Sequence, residues 1–363
     1  MQGTVNISSS LFSTLATECA EQGFEICHAF DTGWYNAQIQ KEGLLESGQL
    51  KCLPSSNEAY LMGNTNSIWP RFCDWLVEQY QLYQQQQKGN EHVEAENEAN
   101  DEKEAQYPMN QFLQNLKDPL DTFCEQRLTC LFHKHFPDRR YDIYWDHAGG
   151  KKSENDNCHH SSNSSSSSTT KQHWNSDFMV CMSRVAQVSG LCWNDQHATK
   201  LCIHPQFGTW HAYRAILVLR DGNGNLSTTT RPPPAQVPCP VPSKELAMAE
   251  CQMQVAVQLV CKISDTDDSG GSHNNDMMER AKSALRKELH DSSSKAIHNG
   301  IEDDDDGSLL NVQVSPSTQA WMDLRDCISL GRDEYKYSEA QLLYHYTRDP
   351  IILKHEVGKR CCS

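Results

Sequence analysis

The side chains best able to do chemistry gather between Cys202 and Arg214, in the run Cys202-Ile203-His204-Pro205-Gln206-Phe207-Gly208-Thr209-Trp210-His211-Ala212-Tyr213-Arg214. This run supplies a thiol, two imidazoles and a guanidinium. Pro205 and Gly208 mark a turn, and Trp210 to Leu219 reads as a strand. With a period of two, Trp210, Ala212, Arg214, Ile216 and Val218 share one face. A guanidinium is always charged and is costly to bury alone. Arg214 is therefore read either as the partner of an acid of this chain or as the grip on an anionic ligand. Cys202 reads first as a buried, inert strand thiol, with a pocket-lining role as the alternative. His204, ahead of Pro205, reads as a turn anchor.

Other constellations are weaker. His133-x-His135 and His159-His160 could bind a metal, but without a spaced cysteine or acid pair nearby they read as surface histidines, and no metal site is expected. The sequence holds no G-x-G-x-x-G, no Walker A loop, no G-x-S-x-G elbow and no C-x-x-C. Asp146-His147-Ala148-Gly149-Gly150 has the wrong spacing for D-x-H-x-x-G, the pattern in which a protein histidine replaces the lower ligand of a cobalamin. Trp34, Tyr35 and Asn36 read as core rather than ligand contacts.

The elements that must position these residues form a mixed set. Hydroxyl caps and 3–4 spacing predict a helix from Ser8 to Gly23. GFEICHAFDTGWYNAQI reads as strand, turn and a second element, and EAYLMGNT (58–65) as a strand. Ile68, Phe72, Leu76 and Tyr80 recur every four residues, as on a helix. Helical spacing returns at 118–136, strand composition at 139–147, helix at 244–261 and one or two helices at the end. The order is not a strict βαβ alternation, so an α+β fold is expected.

Composition bounds the rest. The 363 residues carry a formal charge of −16, which argues against a partner held through nucleic-acid phosphates. Residues 88–107 and 264–306 hold −12 of that charge, so the acidity belongs to inserts rather than to a working surface. The expectation is one domain over 1–352, interrupted by flexible inserts at about 88–107, 149–172 and 262–313, and followed by a tail at 353–363. No apolar run reaches membrane-spanning length, no basic and apolar leader opens the chain, and Cys361-Cys362-Ser363 is not a prenylation box. With sixteen cysteines and no leader, reduced thiols in the cytoplasm are expected.

The Cys202–Arg214 segment resembles the C-I-H-P-x-F-G-x-W-x-x-x-R stretch of the cobalamin-processing proteins of the cblC type. GFEICHAFDTGWYN (23–36), KDPLDTF (117–123), VPCPVPSKE (237–245) and KYSEAQLLYHYT (336–347) resemble further family segments in the same order. The resemblance implies an antiparallel sheet flanked by helices, similar to flavin reductases of the nitroreductase type. It implies base-off binding of cobalamin, reductive decyanation with FMN or FAD as reductant, and transfer of the upper alkyl group to glutathione. It also implies a D-type trafficking partner; whether the chain forms a homodimer stays open. Cys202, His204, Phe207, Gly208, Trp210, Arg214, Arg332 and Arg348 become candidate contacts, with Phe207 and Trp210 flanking the corrin. Arg214 and Gln187 are the candidate catalytic positions.

Gln187 stands where the family carries a histidine, and the family's tyrosine run is lost. Glutamine donates a hydrogen bond but carries no proton at neutral pH. Arg332 and Arg348 match two family arginines only with gaps or shifts. A binding-only chaperone and a flavin reductase without a cobalamin role therefore stand as alternatives to the processing enzyme.

Overall fold

A computed structural model of the chain describes residues 7–45, 50–94, 108–116, 118–146, 151–153, 180–220, 232–264, 312 and 314–361. In chain order the first half gives α1 (Ile7–Glu21), β1 (Ile26–Phe30), α2 (Thr32–Lys41), β2 (Ala59–Asn64), α3 (Ile68–Glu94), α4 (Pro108–Asn115), α5 (Pro119–His135), β3 (Tyr141–Trp145) and β4 (Lys151–Ser153). Then follow α6 (Met182–Val188), β5 (Trp193–Asn194), β6 (Cys202–Ile203), β7 (Ala212–Leu219), α7 (Ser243–Ser264), α8 (Pro316–Asp326), α9 (Arg332–Tyr335), α10 (Glu339–Thr347) and α11 (Pro350–Cys361). This is the α+β class that the element order predicts. The chain divides into two compact units: Met1–Thr65 with Arg127–Pro240, and Asn66–Gln126 with Val241–Ser363.

The first unit is built on a five-stranded antiparallel sheet in the order β1-β2-β7-β3-β4, beside a two-stranded β5-β6 ribbon. Every residue of β2 and β3 is buried, and so is all of β7 after Ala212. A half-buried strand alternates; a central strand covered on both faces reads as a continuous apolar run, and β7 is central. Asp142 lies in β3 with its side chain 1% exposed. Arg220, just past β7, donates to it in bidentate fashion through Nε and an Nη, both at 2.7 Å, and this pairing holds the Arg220 guanidinium above its ordinary range.

The register between β2 and β7 slips once. Met62 pairs with Ala215 and Gly63 with Tyr213, so neighbours on β2 face residues two apart on β7, and Arg214 is the extra residue of a β-bulge. This corrects the strict alternation expected from Trp210 to Val218: Trp210 precedes the strand, and residues on either side of Arg214 no longer share a face by parity. Gly63 makes the approach possible. A Cβ there would lie 2.7 Å from the Ala212 carbonyl oxygen and 3.1 Å from the Tyr213 ring.

The second unit is helical. Ala249, Met253, Ala256 and Val260 form the buried stripe of α7. The rings of Trp69, Phe72, Trp75, Phe123 and Tyr344 pack with centroids 5.6–6.1 Å apart. Two helix starts carry hydroxyl caps: Ser315 accepts from the Thr318 amide and Ser338 from the Gln341 amide. Ser8, Ser9 and Ser10, read from sequence as caps, lie instead inside α1.

Three expectations change. Helix α3 runs to Glu94, seven residues into the stretch expected to be flexible from 88; its Gln, Lys and Glu residues are good helix formers, and an established helix propagates cheaply. Residues 95–107 lie outside the described residues. The expected tail at 353–363 is largely helix α11, which buries Ile352, Leu353 and Val357. In the other two inserts, β4 pairs with β3 through Lys151–Ser153 and α7 continues to Ser264, while 154–172 and most of 265–313 lie outside the described residues. Among the described residues no helix is long and apolar enough to cross a membrane.

Gly63→Ala is expected to destabilise the protein. Overpacking against backbone costs about 1–3 kcal/mol, more than the ~0.4–1 kcal/mol that losing a glycine from the unfolded chain returns. A lower melting temperature is the expected result, and an unchanged one would refute the close approach.

Candidate functional site

The Cys202–Arg214 segment folds as one local device. Cys202 and Ile203 form β6 and pair with Asn194 and Trp193 of β5. Asp195 shapes the connection: its carboxylate accepts from the amides of His197, Ala198 and Thr199 and from the Thr199 hydroxyl. Burial pushes the Asp195 carboxyl up, but these hydrogen bonds outweigh it and hold the group below its ordinary value.

Beyond β6 the chain reverses over Pro205–Phe207. His204 N–H donates to the Gly208 carbonyl and Gly208 N–H to the His204 carbonyl, both at 2.9 Å. Gly208 sits at φ +57°, the left-handed region that a side chain would strain. The His204 ring stacks on Phe207 at 4.3 Å, and its Nδ1 accepts the amides of Gln206 at 3.1 Å and Phe207 at 3.2 Å. These donors assign the proton of the neutral ring to Nε2. Burial first, then the His28 charge, pushes the His204 pKa down to about 4. The turn-anchor role predicted for His204 is the one observed.

Trp210 follows, with its amide donating to the Phe207 carbonyl at 2.9 Å. Trp210 is fully buried and Phe207 nearly so. Neither ring is open to solvent in this structure. His211 stands between the rings of His204, at 5.9 Å, and Tyr213, at 5.0 Å.

Arg214, at the bulge, is 4% exposed. Its Nε donates to Asn64 Oδ1 at 2.7 Å, and Asn64, fully buried at the end of β2, donates through Nδ2 to the Thr65 carbonyl at 2.8 Å. That second bond fixes which end of the amide faces Arg214. The guanidinium thus meets a neutral acceptor from a strand 150 positions away in sequence. The sequence carries no signal for Asn64; only the pairing of β2 with β7 brings it there.

Gln187 lies near the end of α6, and its side-chain oxygen accepts from Gln196 Nε2. Cys202 Sγ lies 2.8 Å from Cys192 Sγ and 3.5 Å from the Tyr213 hydroxyl. Arg332 and Arg348 belong to the second unit. Arg332 donates to the Asp326 carbonyl at 3.0 Å; Arg348 sits at φ +56° on the end of α10, 3.5 Å from the Asp118 carboxylate and over the Tyr344 ring.

The other residues considered have structural roles. Tyr35 is fully buried and its hydroxyl accepts the Cys181 amide. The Asn36 side chain clamps both the amide and the carbonyl of Leu53. His135 bonds to Glu18 at 3.0 Å, and the His133 ring meets Tyr141 edge-on. His159-His160 lies outside the described residues. Among the described residues no group of three His, Cys, Asp or Glu side chains could hold a metal ion. A groove lined by Thr14, Glu18, Gln22, Arg127 and Lys134 includes none of the motif residues.

No protein-family model matches the chain, and no curated protein matches it. Among solved structures the chain is similar to a crystal structure of a C. elegans B12-trafficking protein CblC, a homologue of human MMACHC. That similarity is at 14% identity over 96% of this chain and 95% of that one, with a TM-score of 0.49.

The lowered His204 and His28 values set a pH dependence. Each ring protonates more readily in the unfolded chain, so the unfolded state binds more protons below the ordinary histidine range. Stability is complete above about pH 6.5 and is expected to fall as pH drops toward about 4, by on the order of 3 kcal/mol from His204. Denaturant titrations at several pH values measure this slope. His204→Gln should flatten it, and an unchanged slope in that variant would contradict the assignment.

Proposed function

We propose that this protein binds cobalamin base-off and removes its upper axial ligand, acting as a cobalamin-processing and carrier protein. The observation that carries this reading is the Cys202–Arg214 run. Across its thirteen residues all eight specified positions of the cblC-type segment are matched, and they fold around an Arg214 whose guanidinium is buried and oriented by Asn64.

For the dealkylation arm, the residues act by binding and orientation. A glutathione thiolate attacks the cobalt-bound carbon, the new S–C bond takes the alkyl group, and the Co–C electron pair stays on cobalt, reducing it from Co(III) to Co(I). Arg214 grips a glutathione carboxylate and its positive charge favours the thiolate. Asn64 is the positioning residue that holds Arg214. Gln187, where the family carries a histidine, can hydrogen-bond but cannot relay a proton, so a modest rate is expected. For the decyanation arm, FMN or FAD supplies electrons when bound; we propose no residue for it. A D-type partner follows from the family resemblance alone.

Anaerobic absorption spectra with methylcobalamin, with and without glutathione, test the reading. A base-off shift on binding and a cob(I)alamin band on adding glutathione are expected. A shift with no turnover favours the binding-only chaperone, and no shift at all overturns cobalamin binding.

Arg214 is then tested by charge. Arg214→Gln should weaken glutathione use roughly ten- to a hundredfold, the effect of losing a charge-assisted pair of about 1.5–3 kcal/mol, with cobalamin binding altered less. Asn64→Asp keeps an acceptor in place on Arg214 Nε but makes that acceptor negatively charged. It should raise the glutathione concentration needed by a similar factor while the base-off shift persists. Normal glutathione dependence in both folded variants would remove Arg214 from the mechanism.

A further inference from the structure

Cys192 and Cys202 come together for reasons that do not depend on the cobalamin reading. Helix α6 ends at Val188, and Gly190, at φ +71°, turns the chain back so that the amides of Leu191 and Cys192 both donate to the Ala186 carbonyl. The Asp195 turn then folds β6 back along β5. Both ends of this ten-residue excursion are thus fixed by hydrogen bonds, and the sulfurs end 2.8 Å apart. The Tyr213 hydroxyl lies 3.5 Å from Cys202 Sγ.

The spacing discriminates between two uses of a thiol pair. Two thiolates on a tetrahedral zinc, each about 2.3 Å from the ion, stand roughly 3.7 Å from each other. Sulfurs at 2.8 Å leave no room for an ion between them and need to close by less than 1 Å to reach the bonded distance of about 2.05 Å. The two residues also differ in access: Cys192 is fully buried, whereas Cys202 is partly exposed.

The geometry points to a redox-active dithiol, in which Cys202 and Cys192 form a reversible intramolecular disulfide by exchange with a small external disulfide. In the first step the Cys202 thiolate attacks one sulfur of the external disulfide, the S–S bond breaks, and one external thiolate leaves. In the second, Cys192 gives up its proton to solvent and attacks the Cys202 sulfur of the mixed disulfide, expelling the second external thiolate. Two protein thiols are oxidised by two electrons and one external disulfide is reduced to two thiols. Burial pushes the Cys202 thiol well above its ordinary value, so the exchange is slow at neutral pH and quickens about tenfold per pH unit.

The test uses the full chain with hydroxyethyl disulfide, a small neutral probe. After exposure at pH 8–9, the remaining thiols are alkylated and the digested peptides mapped by mass spectrometry. The expected product is a peptide pair joined through Cys192 and Cys202, short of two hydrogens and restored by dithiothreitol. Cys192→Ser removes the resolving thiol, so a mercaptoethanol adduct should persist on Cys202. Cys202→Ser should leave Cys192 unmodified. The proposal is overturned if Cys192 and Cys202 of the unsubstituted protein are both recovered as alkylated thiols when the exposed Cys52 and Cys130 have reacted fully. It is equally overturned if Cys202 is linked to a cysteine other than Cys192.

Discussion

The first unit depends on one close approach: the backbone of β2 at Gly63 against the backbone of β7 at Ala212. Without a side chain at position 63 the two strands can slip by one residue, and the slip makes Arg214 the extra residue of the bulge. A bulge re-aims a side chain that a regular ladder would hold at right angles to the sheet. Here the re-aimed group is a guanidinium in a central strand, where a buried charge must be hydrogen-bonded. Asn64, one residue past Gly63, supplies an oriented neutral acceptor for it. Backbone spacing, strand register and the charge at the candidate site are thus one arrangement.

The turn ahead of that strand shows a different economy. Its two backbone bonds, the left-handed glycine and the histidine acceptor all lie within five consecutive residues. His204 does this only as a neutral ring, because Nδ1 must accept. The burial that favours the stacked ring also suppresses its charge, so packing and protonation reinforce each other. The same enclosure pushes the neighbouring Cys202 thiol and Tyr213 hydroxyl up, keeping the cluster uncharged near neutral pH.

The second unit relies on ring packing rather than on register. Five aromatic side chains from α3, α5 and α10 make offset and tilted contacts, each worth about 0.5–1.5 kcal/mol beyond area burial. Arg348 lies over the face of one of these rings, Tyr344. Arg332 opens the short α9 with its guanidinium on the Asp326 carbonyl. Both arginines therefore have a structural reason for their positions, whatever else they contact.

Local physics made much of this legible from sequence. The apolar spacing of α3 and α5, the strand run of β7 and the Pro205–Gly208 turn all have determinants within a few residues of each other. Periodicity reports that a face is buried, but not what covers it. That is why an even-numbered face of β7 does not form: the strand is covered on both sides, and the bulge that breaks its parity is set by a glycine on another strand. The same limit hid Asn64 behind Arg214, Cys192 beside Cys202 and the docking of α11, whose three apolar residues matter only once a surface exists to receive them. The sequence by itself determined the α+β class, most elements and the chemistry available between Cys202 and Arg214. Only the tertiary structure decided the partners of those groups, because long-range contacts follow from strand order and register, which one chain's local preferences do not encode.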